Sequence, residues 1–322
     1  MRKPFMSGPV RVRVPATSAN LGPGFDALGL ALALYDEITA EVVDGPTRVT
    51  ITGQGVGELP TDASHLVVRA AAAAFDALGV RSPGLALTCH NRIPQARGLG
   101  SSSAAIVAGV LAARALVPGG AQALDDAAVL RLAAAIEGHP DNVAPCLLGG
   151  FTIAWTRPDG ARAVSTRPAP GVLPTVFVPA ERGLTTAARA ALPPTVPHAD
   201  AAFTAGRAAL LVHALTRDPQ LLYEATEDRL HQAHRAPGMP ATARLVALLR
   251  DAGVAAVISG AGPSVLALSP VPASFDAGPT WRVFSVPVDQ VGAAVMAGTA
   301  PDPAGNQGEH AEADPVAAGW AS

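Results

Sequence analysis

Residues 94–105 read Pro-Gln-Ala-Arg-Gly-Leu-Gly-Ser-Ser-Ser-Ala-Ala, between a strand-like stretch at 85–90 and a helix-like stretch at 104–116. A turn that joins strand to helix through two glycines allows backbone conformations other residues resist, and it aims the unsatisfied amides of the helix N-terminus outward. Gly98 and Gly100 let an anion approach the main chain closely, and the amides of residues 101–104 meet it, aided by the helix dipole. The segment is built as a phosphate cradle in which a serine hydroxyl, Ser102 by preference, also ligates magnesium. A plainer account is a serine-capped helix after a flexible turn, and the local sequence leaves both open.

Lys3 is the only lysine, so a Walker-type ATPase and a Schiff-base enzyme each lack their key residue. With a net charge of −3 and a pI near 6.2, bulk electrostatics draws the chain to neither nucleic acid nor an anionic membrane. No stretch reaches the roughly 18 apolar residues of a membrane helix, and residues 1–14 lack the apolar core of a secretory signal. Cys89 and Cys146 are too few for a disulfide framework or a thiolate zinc site, which makes the reducing cytoplasm the expected compartment. At 322 residues the chain exceeds the usual size of one core, so two lobes are expected. The alanine content is read as coding bias.

The coarse pattern is α+β. Val10, Val12 and Val14 alternate as a strand that Pro15 stops, and a loop follows over 16–27. Strands are expected at 38–43 and 49–52. Ser64 is the expected cap of a helix running to about residue 78, and a further helix over 125–137 ends at Gly138. A strand over 147–155 is interrupted by Gly149 and Gly150, and residues 157–174 read as a linker. Beyond it come a strand at 175–178 and helices at 185–192, 198–216, 220–230 and 241–252. Strands at 254–258, 265–268 and 281–286 follow. The expected lobes are 10–160 and 170–298, with 299–322 a disordered tail.

Three further segments carry chemistry. In Glu137-Gly138-His139-Pro140-Asp141-Asn142, His139 suits a base, Asp141 a base or metal-side carboxylate, and Asn142 an amide that positions a hydroxyl. A glycine-capped helix followed by a Pro-Asp-Asn turn explains the same residues. In Ile258-Ser259-Gly260-Ala261-Gly262-Pro263-Ser264 two glycines let a loop or ligand lie against the backbone, or simply make a hairpin. In Thr17-Ser18-Ala19-Asn20-Leu21-Gly22-Pro23-Gly24-Phe25-Asp26, Asp26 suits a substrate ammonium and Asn20 a hydroxyl or amine, unless both only stabilise turns. His231 and His234 have metal-like helical spacing but no third ligand, and read as surface or structural.

In this order the four segments resemble the GHMP kinases, over about residues 10–288. Residues 98–102 look like the ATP loop that all branches share. Residues 17–26 with Gly29-Leu30, and 138–145, are most similar to the homoserine branch. The resemblance implies an α+β GHMP kinase fold: an N-terminal ribosomal-protein-like lobe with a left-handed β-α-β crossover, and a C-terminal ferredoxin-like lobe. ATP and acceptor would meet in the cleft between them. It implies phosphorylation of the side-chain hydroxyl of L-homoserine, in threonine biosynthesis, with Mg2+. Carried over residue by residue, Pro94, Gln95, Ala96, Arg97, Gly98, Leu99, Gly100, Ser101, Ser102, Ser103 and Ala104 surround the triphosphate. Gly260 and Gly262 belong to the turn that braces them, and Ser102 and Glu137 attend the metal. Asn20, Asp26, Asn142 and Thr185 contact the amino acid, whose carboxylate Arg189 and Arg235 clamp. His139, Asp141 and Asn142 form the catalytic group, the hydroxyl proton going to Asp141 or directly to the γ-phosphate. A small-molecule substrate, no nucleic acid, no membrane and a homodimer complete the expectation. The alternatives are a mevalonate-type kinase and a non-catalytic ligand sensor of the same fold.

Overall fold

The structure, a computed structural model, describes residues 5–296. Lys3 and the segment 299–322 lie outside them. Strand β1 (Val10–Ala19) buries Val12 and Val14 on one face. Pro15 does not end it: the pairing with β2 (Leu28–Val43) shifts register between Pro15 and Ala16 and continues to Ala19. A bulge is where a strand tolerates a residue without an amide proton. β2 is longer than the expected 38–43 because the apolar run from Leu28 to Leu34 is also strand, buried at almost every position.

β3 (Arg48–Gly53), α1 (Leu66–Ala77) and β4 (Gly84–Asn91) form a parallel crossover. His65, not Ser64, caps α1: its Nδ1 accepts the Val67 amide at 3.3 Å, while Ser64 bonds Asp62. Helix α2 (Ser101–Leu116) starts three residues earlier than expected and is buried on nearly every side, as befits a helix apolar all round. A Cβ on Gly109 would lie 2.3 Å from the Val67 carbonyl oxygen. Gly109, with Ala70 and Ala71, thus lets α1 and α2 approach closely, giving part of the alanine content a packing role.

α3 (Gly120–Ala123) is a single turn, and α4 (Asp126–Glu137) is capped by Asp125, which accepts the Ala128 amide at 2.7 Å, and closed by Gly138 at φ 95°. The stretch 147–155 is not a broken strand. It holds the end of α5 (Val143–Leu148), two glycines and the start of β5 (Phe151–Arg157). The expected linker contains β6 (Gly160–Thr166), a hairpin partner of β5. Then follow β7 (Thr175–Pro179), α6 (Thr185–Ala190) and α7 (His198–Thr216). The helix expected over 220–230 is a 3-10 turn and the short α8 (Leu222–Ala225). Asp228 then accepts the amides of Leu230, His231 and Gln232 and starts α9 (Gln232–Arg235). α10 (Pro240–Asp251), β8 (Ala256–Ile258), β9 (Val265–Ala267), β10 (Trp281–Ser285) and β11 (Ala294–Met296) complete the described chain.

Among the described residues the first sheet has the order β11-β1-β2-β4-β3, with β5 and β6 attached through β2. The second, β10-β7-β9-β8, is antiparallel throughout. Numbered along the chain its strands run fourth, first, third, second, the split β-α-β order of a ferredoxin-like lobe. The helix that should join the third strand to the fourth is absent, since Pro270, Pro272 and Pro279 break the stretch between β9 and β10. The main apolar core spans both lobes: Val176, Leu211 and Val257 pack in the same cluster as Val14, Ile106 and Phe151. No helix among the described residues is long and apolar enough to cross a membrane.

Candidate active site

A cleft of about 420 Å³ opens where residues 95–102, the 139–142 turn, α6 and the 260–262 turn converge. Its loop is wound by Ala96, Gly98 and Gly100, all in the left-handed region at φ 55°, 73° and 72°. Gly100 caps α2 without a side-chain hydrogen bond, so the first amides of the helix are left for another acceptor. The loop is braced from behind. Ser259 Oγ donates to the Gly98 carbonyl at 2.7 Å and shares a 2.8 Å hydrogen bond with Ser18 Oγ. Arg97 lines the cleft, but its guanidinium donates to the carbonyls of Gln95, Pro179 and Ala180, stitching the loop to the end of β7. Gln95, Ala96, Gly98, Gly100, Ser101 and Ser102 line the cleft; Pro94, Leu99, Ser103 and Ala104 do not, Leu99 and Ala104 being core residues.

Glu137, at the end of α4, receives Ser102 Oγ on Oε2 at 2.7 Å and Ser103 Oγ on Oε1 at 2.9 Å. A serine hydroxyl beside a carboxylate is a hard-oxygen donor set that fits Mg2+, which takes most of its remaining ligands from phosphate and water. Among the described residues no group of three or more His, Cys, Asp or Glu side chains forms a metal cage.

Gly138 turns the chain sharply out of α4, and His139 Nδ1 meets Asp141 Oδ1 at 2.7 Å. That bond is the main reason the His139 pKa is raised above the ordinary histidine value, against the opposing effect of burial. Asn142 Oδ1 accepts Thr17 Oγ1 at 2.7 Å, which orients the amide so that Nδ2 is left as donor.

The opposite end is cationic. Arg189 grips Asp26 with two hydrogen bonds, 3.0 Å to Oδ2 and 2.7 Å to Oδ1. This bond above all raises the Arg189 pKa further. Arg235 is only 2% exposed and donates to the Gly260 carbonyl at 3.0 Å. Burial is the leading cause of its lowered pKa, with Arg189 adding to it. The Phe25 ring lies 5.7 Å from the Arg189 guanidinium and 5.3 Å from that of Arg235, a shared aromatic surface for both. Thr185, the first residue of α6, and Gly260 and Gly262 also line the cleft. Asn20 lines it too, yet both ends of its amide are engaged: Nδ2 donates to the Gly260 carbonyl at 2.8 Å and Oδ1 accepts the Asp26 amide at 3.0 Å.

The model of the GHMP kinases N terminal domain matches residues 65–150, and that of GHMP kinases C terminal matches residues 208–276. The homoserine kinase of Streptomyces coelicolor is 56% identical over 296 residues, 91% of this chain and 96% of the relative. The chain belongs to the homoserine kinase family of the GHMP kinases. The crystal structure of homoserine kinase from Cytophaga hutchinsonii superposes with a TM-score of 0.73 at 29% identity, covering 90% of this chain and 98% of that one. L. major mevalonate kinase in complex with R-mevalonate shares the fold, at TM-score 0.63 and 15% identity over 89% of this chain and 98% of that one.

Several residues of this GHMP kinase cleft escape the sequence reading. Thr17 meets Asn142 across 125 positions, and Phe25 meets arginines more than 160 positions away, so no local pattern signals either. Asp36, on β2, also lines the cleft; its Oδ1 accepts the amides of Arg92 at 2.7 Å and Ile93 at 2.8 Å. Burial outweighs these bonds and pushes its carboxyl up to about 7 from the ordinary 3.8. The folded chain therefore holds a proton that the unfolded chain has released. The Asp36 contribution to stability is full below 3.8 and is lost as pH rises to about 7. Asp36→Asn keeps an acceptor for both amides and carries no charge. It should raise the unfolding free energy at about pH 8 by at most about 4 kcal/mol, a gain that fades towards about pH 4. Thermal melts of the two proteins across that range check this, and a difference independent of pH would contradict it.

Proposed function

We propose that this chain transfers the γ-phosphate of ATP to the side-chain hydroxyl of L-homoserine, yielding O-phospho-L-homoserine for threonine biosynthesis. The observation that carries the reading is one cleft with an uncapped helix mouth at one end and an aspartate-arginine pair at the other, in a chain so similar to homoserine kinases. The two ends suit the two reactants, an anion and a zwitterion.

Amides at the start of α2 bind the triphosphate, and the braced glycine turn keeps them in place without reorganisation. Ser102 and Glu137 would hold Mg2+, which would supply positive charge to neutralise the transferring phosphoryl group. The amino acid divides the Asp26–Arg189 pair: its ammonium takes Asp26 while Arg189 and Arg235 take its carboxylate. Asn142 orients the hydroxyl through Nδ2. Asp141, held at Oδ1 by His139, accepts the hydroxyl proton, and the positive charge favoured on His139 lies beside the group being transferred. Residues 10–160 form one lobe of this enzyme and the described part of 170–298 the other, except that β11 returns to the edge of the first sheet. We place the enzyme in the cytoplasm, as a homodimer.

Release of ADP coupled to a chromogenic readout, over homoserine, mevalonate and galactose, tests the reading. Homoserine should be phosphorylated with the highest kcat/KM of the panel. Turnover of mevalonate in preference to homoserine would overturn the assignment, and nucleotide binding without turnover of any acceptor would favour a sensor.

A further inference from the structure

His231, surface or structural by its sequence spacing, sits fully buried beside the substrate end of the cleft. Its Nε2 is 2.8 Å from the Gly22 carbonyl oxygen and its Nδ1 is 3.2 Å from Nη1 of Arg235. A carbonyl only accepts and a guanidinium only donates, so both contacts are satisfied by one form: neutral imidazole with the proton on Nε2 and a bare lone pair on Nδ1. Protonation at Nδ1 would replace a hydrogen bond by two donors facing each other.

The rest of the surroundings makes Arg235 a rigid presentation. Its Nε donates to the Ala188 carbonyl at 3.3 Å, one residue before Arg189, and Nη1 also reaches the Gly260 carbonyl. Nη2 has no hydrogen-bond partner among the described residues, on a side chain that lines the cleft. The neighbouring Gln232 accepts the Ile258 amide at 2.7 Å, fixing the strand that leads into Gly260. Phe25 stacks on the His231 ring at 5.1 Å between centroids. His231 therefore ties the loop that carries Phe25 and Asp26 to the arginine that faces the acceptor carboxylate.

We propose that His231, as the neutral Nε2–H tautomer, is the positioning residue that fixes Arg235 and thereby sets affinity for the amino-acid acceptor. The inference rests on the homoserine reading, because it needs an acceptor whose carboxylate Arg235 meets. The charged groups that face His231 are Asp228 on the turn before α9, with Oδ2 3.7 Å from Nε2, Arg235 on α9 and Asp26 on the 20–27 loop. Burial and Arg235 favour the neutral ring, whereas Asp228 and Asp26 favour its charge; burial dominates, holding the pKa below the ordinary histidine value. The fold thus favours the neutral ring that the two contacts require.

The test compares steady-state kinetics of His231→Asn and His231→Gln with the parent at about pH 8, varying homoserine and ATP separately. An asparagine places its oxygen near the Nδ1 position and can still accept from Arg235, whereas a glutamine reaches the Nε2 position and keeps only the Gly22 contact. The expected result is a KM for homoserine raised roughly tenfold or more in the glutamine variant and clearly less in the asparagine variant, with KM for ATP within about twofold in both. Equal KM values in parent and glutamine variant, or KM values for both substrates rising together, would overturn the proposal. Melting curves of both variants separate lost folding from lost affinity. Failure of the parent itself to phosphorylate homoserine would instead overturn the function on which the inference rests.

Discussion

Asp141→Asn is expected to lower kcat for homoserine phosphorylation by about 10²–10⁴-fold while leaving KM for homoserine within about threefold. The substitution preserves size at a site only 2% exposed, and an amide oxygen can still meet His139 where Oδ1 now does, at 2.7 Å. What it removes is the capacity to take a proton. Affinity for the acceptor should survive, because the groups proposed to hold its charged ends are Asp26, Arg189 and Arg235, not Asp141. Single-turnover and steady-state kinetics at saturating ATP check the outcome. A loss of only a few fold would mean that the hydroxyl proton passes directly to the γ-phosphate and that Asp141 is no essential base.

Gly98→Ala should lower kcat/KM for ATP by about 10²-fold. Gly98 lies at φ 73°, and a Cβ there would sit 2.2 Å from the Ser259 carbonyl oxygen and 2.9 Å from that of Gly262. These are backbone atoms of the turn that braces the loop, and they cannot swing away as a flexible side-chain tip would. The alanine must therefore push the loop and the 259–262 turn apart, breaking the Ser259 to Gly98 hydrogen bond and displacing the mouth of α2. Left-handed backbone at a non-glycine residue adds a cost of about 1–2 kcal/mol. ATP saturation curves with a parallel melt check the prediction, and an unchanged kcat/KM for ATP in a folded variant would contradict it.

The parts of this cleft that are legible in the sequence are those whose cause is local. Gly98 and Gly100 announce a left-handed turn before a helix, and Gly138 the end of α4, because the backbone at each position demands a residue without Cβ. What lies between segments is silent in single-chain patterns. Pro15 reads as a strand stop, and only pairing with β2 absorbs it in a bulge. The apolar run at the start of β2 has no alternation, since it is buried on both faces. β6 is short, partly exposed and flanked by Pro158, Asp159 and Pro168, so it passes for a linker until β5 lies beside it. At the helix expected over 220–230, the side chain of Asp228 competes with helix continuation by taking the next backbone amides.

The same distinction runs through the site. Ser102 and Glu137 stand 35 positions apart, and only resemblance to the family joins them in the sequence; their hydrogen bond at 2.7 Å is a product of α2 packing against α4. Asp26 and Arg189 are 163 positions apart, and their mutual grip has no trace in either segment. The spacing of His231 marks it only as surface or structural, because its chemistry depends wholly on which groups the fold sets against its two nitrogens.

Diffraction from crystals grown with a non-hydrolysable ATP analogue, Mg2+ and L-homoserine tests the central claim most directly. Phosphate oxygens should lie within hydrogen-bond distance of the amides of residues 101–103, and the amino acid between Asp26 and the two arginines, Arg189 and Arg235. Nucleotide bound away from the start of α2, or homoserine excluded from the arginine end while nucleotide is present, would contradict it.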